Sequence, residues 1–156
     1  MAVLIERAGM QDLDALLELE SEAFNAADWM LSRRAFRYHL QSNNLLLVAR
    51  QSRNNPRPVA YILVLKRKKT ARIYSLAVSP AFRRQGIASQ LFKEALNDCI
   101  ASQLYKVRLE VRASNHKAIS LYKALGFQEH AVCPDYYRDH EDACRMEWRY
   151  DSSLIH

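Results

Sequence analysis

Residues 83–89, "RRQGIAS", follow a β-branched run and open an amphipathic one. Two arginines and a glutamine precede Gly86, one of only three glycines in the chain, and Ala88 keeps the next crowded position small. A helix start exposes backbone N–H groups and carries about half a positive charge, so a glycine there lets a phosphate approach the backbone. Arg83 and Arg84 add charge to such a cradle. The same residues also suit a plain tight turn with solvated arginines, and the residue types alone leave both readings open. Neither G-x-x-x-x-G-K-[ST] nor G-x-G-x-x-G is present. Cys99, Cys133 and Cys144 show no C-x-x-C spacing and read as packing residues rather than nucleophiles or metal ligands. The five histidines have no metal-ligand spacing either, so no metal is expected.

These residues need a strand before them and a helix after them, and the patterning supplies both. Residues 3–8 read as a strand, 10–24 as an amphipathic helix with Leu13, Leu16, Leu17, Glu20 and Phe24 near one face, and 33–41 as a second helix capped by Ser32. Residues 44–51, 58–67 and 71–78 read as three consecutive strands. An apolar stripe of Ile87, Leu91, Phe92, Ala95, Leu96, Cys99 and Ile100 marks a helix over about 86–102. Strict alternation over 105–113 marks a strand, and 115–125 a helix that Gly126 stops. Residues 127–133 and 143–150 complete an antiparallel pair. The order βααβββαβαββ is that of an α/β protein with a mixed sheet, containing one parallel βαβ unit.

With 156 residues, 23 basic against 17 acidic side chains and a net charge of +6, the chain suits one domain, expected over 1–150 with a short tail at 151–156. The basic balance favours an anionic partner. The cations are dispersed and no nucleic-acid motif is present, so nucleic acid is not the expected one. No apolar run reaches bilayer length and the first residues lack a signal-peptide pattern, so no membrane partner is expected. The cysteine usage fits a cytoplasmic setting.

Arg83-x-x-Gly86-x-Ala88 after "YSLAVSP" resembles the acetyl-coenzyme-A signature of the GNAT superfamily of N-acetyltransferases. Further on, "LEVRASNHKAISLYKALGF", "YY" and "EDACRM" resemble the ribosomal-protein alanine N-acetyltransferases and their near relatives. The likeness spans nearly the whole chain and implies the GNAT fold, with acetyl-coenzyme A as cosubstrate. It implies that the backbone of Leu76, Ala77 and Val78 holds the thioester and pantetheine arm. Arg84, Gln85, Gly86, Ile87, Ala88 and Ser89 would hold the pyrophosphate, with Asn115 a further cofactor contact. Glu110 matches the general base and Tyr122 the general acid. Read from the residues alone, the pattern favours Glu110 as a surface carboxylate between Arg108 and Arg112, and Tyr122 as a core aromatic.

The implied reaction is direct acetyl transfer to a primary amine in a ternary complex. At pH 7, deprotonation costs about 1–1.4 kcal/mol for an α-amine and roughly 4.6 for a lysine, which favours a protein or peptide N-terminus as acceptor. A tyrosine of ordinary strength donating to a thiolate is uphill by only about 2 kcal/mol. The acceptor side is assigned to Trp29, Arg33, Tyr136 and Tyr137, with Arg34 and Arg37 beside them, which suits an acidic N-terminus. A small-molecule or lysine N-acetyltransferase, or a non-catalytic acetyl-coenzyme-A-binding module, are the alternatives.

Overall fold

The computed structural model describes residues 2–24 and 30–151. In it the periodic runs become β1 (Leu4–Arg7), α1 (Leu13–Ala23), α2 (Arg33–Gln41), β2 (Leu45–Arg50), β3 (Pro58–Lys66), β4 (Thr70–Val78), α3 (Ile87–Ala101), β5 (Lys106–Arg112), α4 (His116–Ala124), β6 (Gln128–Cys133) and β7 (Ala143–Arg149). The strands form one seven-stranded sheet in the order β1-β2-β3-β4-β5-β7-β6. Every neighbouring pair is antiparallel except β4 and β5, which α3 connects as a parallel crossover. The expected mixed α/β architecture is what forms. No helix among the described residues is long and apolar enough to cross a membrane.

Local chemistry sets the helix ends. The Ser32 hydroxyl accepts from Ala35 N–H at 3.1 Å at the start of α2, and the Asn115 side chain accepts from Ala118 N–H at 3.2 Å at the start of α4. At the end of α4, Gly126 takes φ 101°. Its N–H reaches Lys123 C=O, and Phe127 N–H reaches Tyr122 C=O, a Schellman stop that fixes the α4–β6 reversal.

Two apolar layers hold the sheet. The larger joins the α3 stripe and Ile119 of α4 to Ile62 and Val64 of β3, Val107, Leu109 and Val111 of β5, and Met146 of β7. Each large side chain buried there contributes about 1.5–3 kcal/mol. The smaller places Leu13, Leu16 and Leu19 of α1 and Phe36 of α2 on the other face, against Val48, Tyr61 and Leu63. This second layer reaches β2, β3 and β4. Beyond it the same face carries the polar residues of β5 and β7, where Arg108 stands opposite Glu147 and Glu110 opposite Arg145.

β4 is not the uniform strand that its alternation suggests. Leu63 pairs with Ser75 but Val64 with Ile73, so Tyr74 is an extra residue, a bulge. The bulge switches faces: Ala71 and Ile73 pack under α3, but after it Leu76 and Val78 do, while Ala77 joins the α1 layer. β4 also leaves β5. The two strands pair only from Thr70 to Arg72 with Lys106 to Arg108, although they run on to Val78 and Arg112. A wedge-shaped gap therefore opens within the sheet.

A buried ion cluster secures the far end of β2. Arg50 gives two hydrogen bonds to Asp12, at 2.7 and 2.9 Å, and one to Glu6 at 2.6 Å. Burial alone would raise the Asp12 carboxyl, but the Arg50 hydrogen bond and Gly9 N–H together hold it below its ordinary 3.8. The stability Asp12 contributes is thus present above 3.8 and is lost as pH falls through its lower folded value. Replacing Arg50 by Met strands a buried carboxylate and should cost about 3–5 kcal/mol at neutral pH. Chemical denaturation from pH 7 to pH 3 checks this; the deficit of R50M should shrink as Asp12 takes up a proton.

Candidate active site

The wedge is where the sequence-predicted residues meet. At its α3 end, Pro80–Phe82 form a short 3-10 turn and Arg83 Nε donates to Val78 C=O at 3.2 Å. Arg84 and Gly86 both take left-handed backbone, at φ 63° and 76°. Gly86 caps α3 and, lacking a side chain, puts none of its own in front of the helix start. A Cβ built at Gly86 would meet nothing within 4 Å, so the position in front of the helix is open. The conformation, not crowding by the protein, is what demands glycine here. Leu76, Ala77, Val78 and all of Arg83–Ser89 except Gln85 line a cavity of about 430 Å³ at this point. Gln85 is exposed in the same loop.

A second cavity of about 420 Å³ fills the wedge itself, between Ile73–Leu76 and Leu109–Arg112. It shares Ala23, Phe24 and Leu76 with the first, and Glu110, Asn115, Tyr122 and Tyr137 all border it. Ser75 on its wall is fixed from behind. Its hydroxyl lies 2.7 Å from that of Tyr61, which also bonds Glu20, and Glu20 accepts from Leu31 N–H at 2.6 Å. Burial, then the neighbouring Glu20 charge, pushes the Tyr61 phenol well above its ordinary value, so it stays a donor.

Glu110 is no surface carboxylate: its side chain is 3 % exposed. Arg72 Nη2 approaches one oxygen at 2.9 Å, with Arg108 Nε at 3.8 Å and Arg145 Nε 3.9 Å from the other oxygen. Among the described residues neither oxygen has a partner with good hydrogen-bond angles. Charge is compensated there while lone pairs remain available.

Tyr122 is both core and cleft. Its ring lies 5.1 Å from Phe92 and 6.3 Å from Phe127, and it borders the wedge. Burial pushes its phenol up to about 12. That corrects the arithmetic for a tyrosine of ordinary strength: complete transfer to a thiol near 8.5 now costs roughly 5 kcal/mol. Asn115 spends its carbonyl oxygen on the α4 cap, which leaves the amide N–H₂ facing outward as a donor.

A third cavity of about 400 Å³ lies on the other side of Glu110, lined by Arg72, Ile73, Tyr74, Glu110, Tyr136 and Tyr137. Here the tyrosine pair does more than cover the core. Arg72 Nη2 donates to Tyr136 OH at 2.8 Å, and the Arg112 guanidinium sits 4.2 Å over the Tyr137 ring. Arg112 in turn pairs with Asp139 and Glu141, at 2.8 and 2.9 Å. Ser114, followed by Arg112, holds the Glu141 carboxyl down at about 2.

Arg33 is exposed at the start of α2, paired with Asp14 at 2.7 Å, and is not among the residues lining these cavities. Trp29 lies outside the described residues. Sequence reasoning did not single out Arg72, Tyr74, Ser75 or Arg145. They sit on β4 and β7, and only the register across β5 reveals that they surround Glu110.

The chain is similar to known proteins in sequence and in fold. The profile of the acetyltransferase (GNAT) family matches residues 13–127. A [ribosomal protein bS18]-alanine N-acetyltransferase of Salmonella typhimurium is 38% identical over 79 residues, 49% of this chain and 53% of that protein. An N-alpha-acetyltransferase of Saccharolobus solfataricus is 42% identical over 78 residues, 47% of this chain and 45% of that one. The match thus spans about half the length of either relative. The crystal structure of the ribosomal-protein-S18-alanine N-acetyltransferase from Escherichia coli superposes with a TM-score of 0.85, at 26% identity, over 99% of both chains.

Proposed function

Because the chain belongs to the acetyltransferase (GNAT) family and is an N-acetyltransferase, we propose that its acceptor is the N-terminal α-amine of a polypeptide. The observation that carries this reading is the continuous cleft through the β4–β5 wedge. It joins the glycine-capped start of α3 on one side of the sheet to a buried carboxylate and two tyrosines on the other. The names of the relatives support the α-amine. The net charge of +6 supports acidic residues after it. All three cysteines are free, which supports a reducing, cytoplasmic setting.

The residues fit acetyl-coenzyme A. Left-handed Arg84 and Gly86 present the start of α3 to open space, suited to a pyrophosphate. The β4 edge from Ile73 onward has no β5 partner and so offers backbone groups to an extended arm. Asn115 offers an amide donor. When bound, acetyl-coenzyme A supplies the acetyl group as a thioester.

Glu110 then receives the proton that the acceptor amine must lose, directly or through one water. Three guanidiniums near it keep a protonated amine from being over-stabilised, because the net local charge is already positive. Tyr122, with its phenol near 12, stays protonated at any working pH and hydrogen-bonds to the departing sulfur rather than surrendering its proton early. Tyr136 and Tyr137 wall the acceptor path.

The test is a panel of acceptors, measured as free thiol released from acetyl-coenzyme A. Peptides with a free N-terminus should be turned over at least about tenfold faster at pH 7 than the same peptides with a blocked N-terminus and an internal lysine, given the roughly 3 kcal/mol difference in deprotonation. Turnover of polyamines or other small amines in preference to every peptide would overturn the polypeptide reading.

A further inference from the structure

The face of the sheet that α1 and α2 leave uncovered carries a groove of about 400 Å³ along β4, β5 and β7. Arg67, Arg72, Lys106, Arg108 and Arg145 line it, against the single carboxylate of Glu147. Glu147 is already engaged by Lys106 at 3.6 Å and Arg149 at 2.7 Å. The other nearby acid is Glu110, buried at the end of the groove and shared by three arginines. The Nε atoms of Arg72 and Arg145 are buried without a hydrogen-bond acceptor among the described residues. Such crowding of like charge does nothing for stability on its own, since isolated surface pairs contribute little and like charges repel. Guanidiniums in this number suit carboxylates, which they bind in a planar, forked geometry.

The groove adjoins the cavity on the acceptor side of the wedge, that of Tyr74, Glu110, Tyr136 and Tyr137, the two sharing Arg72. Arg145 is directly opposite Glu110 on the next strand, and Arg108 is two residues along the same strand. Both positions lie about 5–7 Å from Glu110 by strand geometry. An extended chain crosses that in about two residues.

We propose that this groove is the specificity subsite for acidic side chains at the second and third residues of the acceptor polypeptide, with Lys106, Arg108 and Arg145 as the residues that read them. The proposal rests on the α-amine reading above and gives the acidic preference a place distinct from α2. Steering by these cations extends over roughly 10 Å at 0.1 M salt and fades as salt rises.

The experiment compares two peptides with free N-termini, Ala-Glu-Glu-Gly and Ala-Gln-Gln-Gly extended by one common neutral tail, on wild type and on the K106Q/R108Q double variant. Kinetics give KM and kcat. Fluorescence anisotropy of tail-labelled peptides gives binding to the coenzyme-A-loaded protein. Melting and coenzyme A titration confirm that the variant is folded. In wild type the acidic peptide should have a KM about tenfold lower, the sum of two or three modest charge pairs. The ratio should fall towards one in the variant and in 0.5 M salt, with kcat for the two peptides remaining similar to each other. R145Q should reduce the same ratio.

A ratio near one in wild type, or a ratio preserved in the variant, overturns the subsite. So does tight binding of a short RNA that the acidic peptide cannot displace. If neither peptide is acetylated but the acidic one binds wild type tenfold better than the variant, the groove stands and the α-amine reading falls. If both are acetylated equally, the α-amine reading stands and the groove falls.

Discussion

Replacing Gly86 by Glu should remove measurable acetyl-coenzyme A binding, a loss of at least about 100-fold. Two separate effects combine. At φ 76° the residue is left-handed, where a side chain costs roughly 1–2 kcal/mol. The carboxylate would also extend into the open position in front of α3, where the proposed cradle of N–H groups, Arg83 and Arg84 would take an anion. Gly86→Asn separates the two, since asparagine tolerates left-handed backbone and carries no charge. It should bind coenzyme A within about tenfold of wild type. Titration calorimetry gives the affinities, and a thermal shift gives an independent check. At a concentration 100 times its dissociation constant a ligand adds about 2.7 kcal/mol of stability, so wild type should melt higher with coenzyme A and G86E should not. Equal affinity in wild type and G86E would mean that the phosphate group lies elsewhere.

This prediction rests on a part of the molecule that was legible beforehand. A glycine between a strand and an apolar helical stripe has few physical explanations, a tight turn or an anion cradle, and both are local. The helix cap at Ser32 and the Gly126 stop were legible for the same reason: each depends on residues within five positions. The succession of elements in the second half, with its parallel βαβ unit and its final antiparallel pair, followed from alternation and connection lengths. What the alternation concealed is the Tyr74 bulge. One extra residue does not disturb an apolar–polar pattern read over nine positions, yet it turns the strand over and opens the wedge.

Glu110 shows the same limit from another side. In "KVRLEVR" it shares a face with Arg108 and Arg112, which suggests a solvated carboxylate. Its burial comes from Arg72, 38 positions earlier, and from Arg145, 35 positions later, brought beside it by the β4–β5–β7 register. No local pattern holds that information. The acceptor side suffers most. Arg33 lies outside the cavities it was expected to line, while the cations that flank the wedge come from three strands. The proposed cofactor side is built mainly from one continuous stretch, 76–89, and the proposed acceptor side from residues scattered across the sheet.

Replacing Glu110 by Gln should lower kcat/KM for an α-amine acceptor about 100-fold at pH 7, the low end of what a positioned acid–base group contributes. The loss should depend on pH with a definite sign. An α-amine has a pKa near 7.7–8.0, so above pH 8 most of the acceptor is already neutral and needs no base. The deficit of E110Q should therefore shrink between pH 7 and pH 9, while Tyr122→Phe should show a deficit of roughly tenfold that does not shrink. In the proposed mechanism Tyr122 acts on the departing sulfur, its phenol near 12 does not titrate in this range, and coenzyme A affinity should stay near wild type. The glutamine variant also leaves Arg72, Arg108 and Arg145 around a neutral amide. That repels a cationic acceptor, so part of the loss should appear as a raised KM below pH 8, where the amine is charged. Folding must be checked by melting, because a cluster of cations loses its counter-charge. A deficit of E110Q that persists unchanged to pH 9 with KM unaltered would show that Glu110 orders the three arginines and takes no proton.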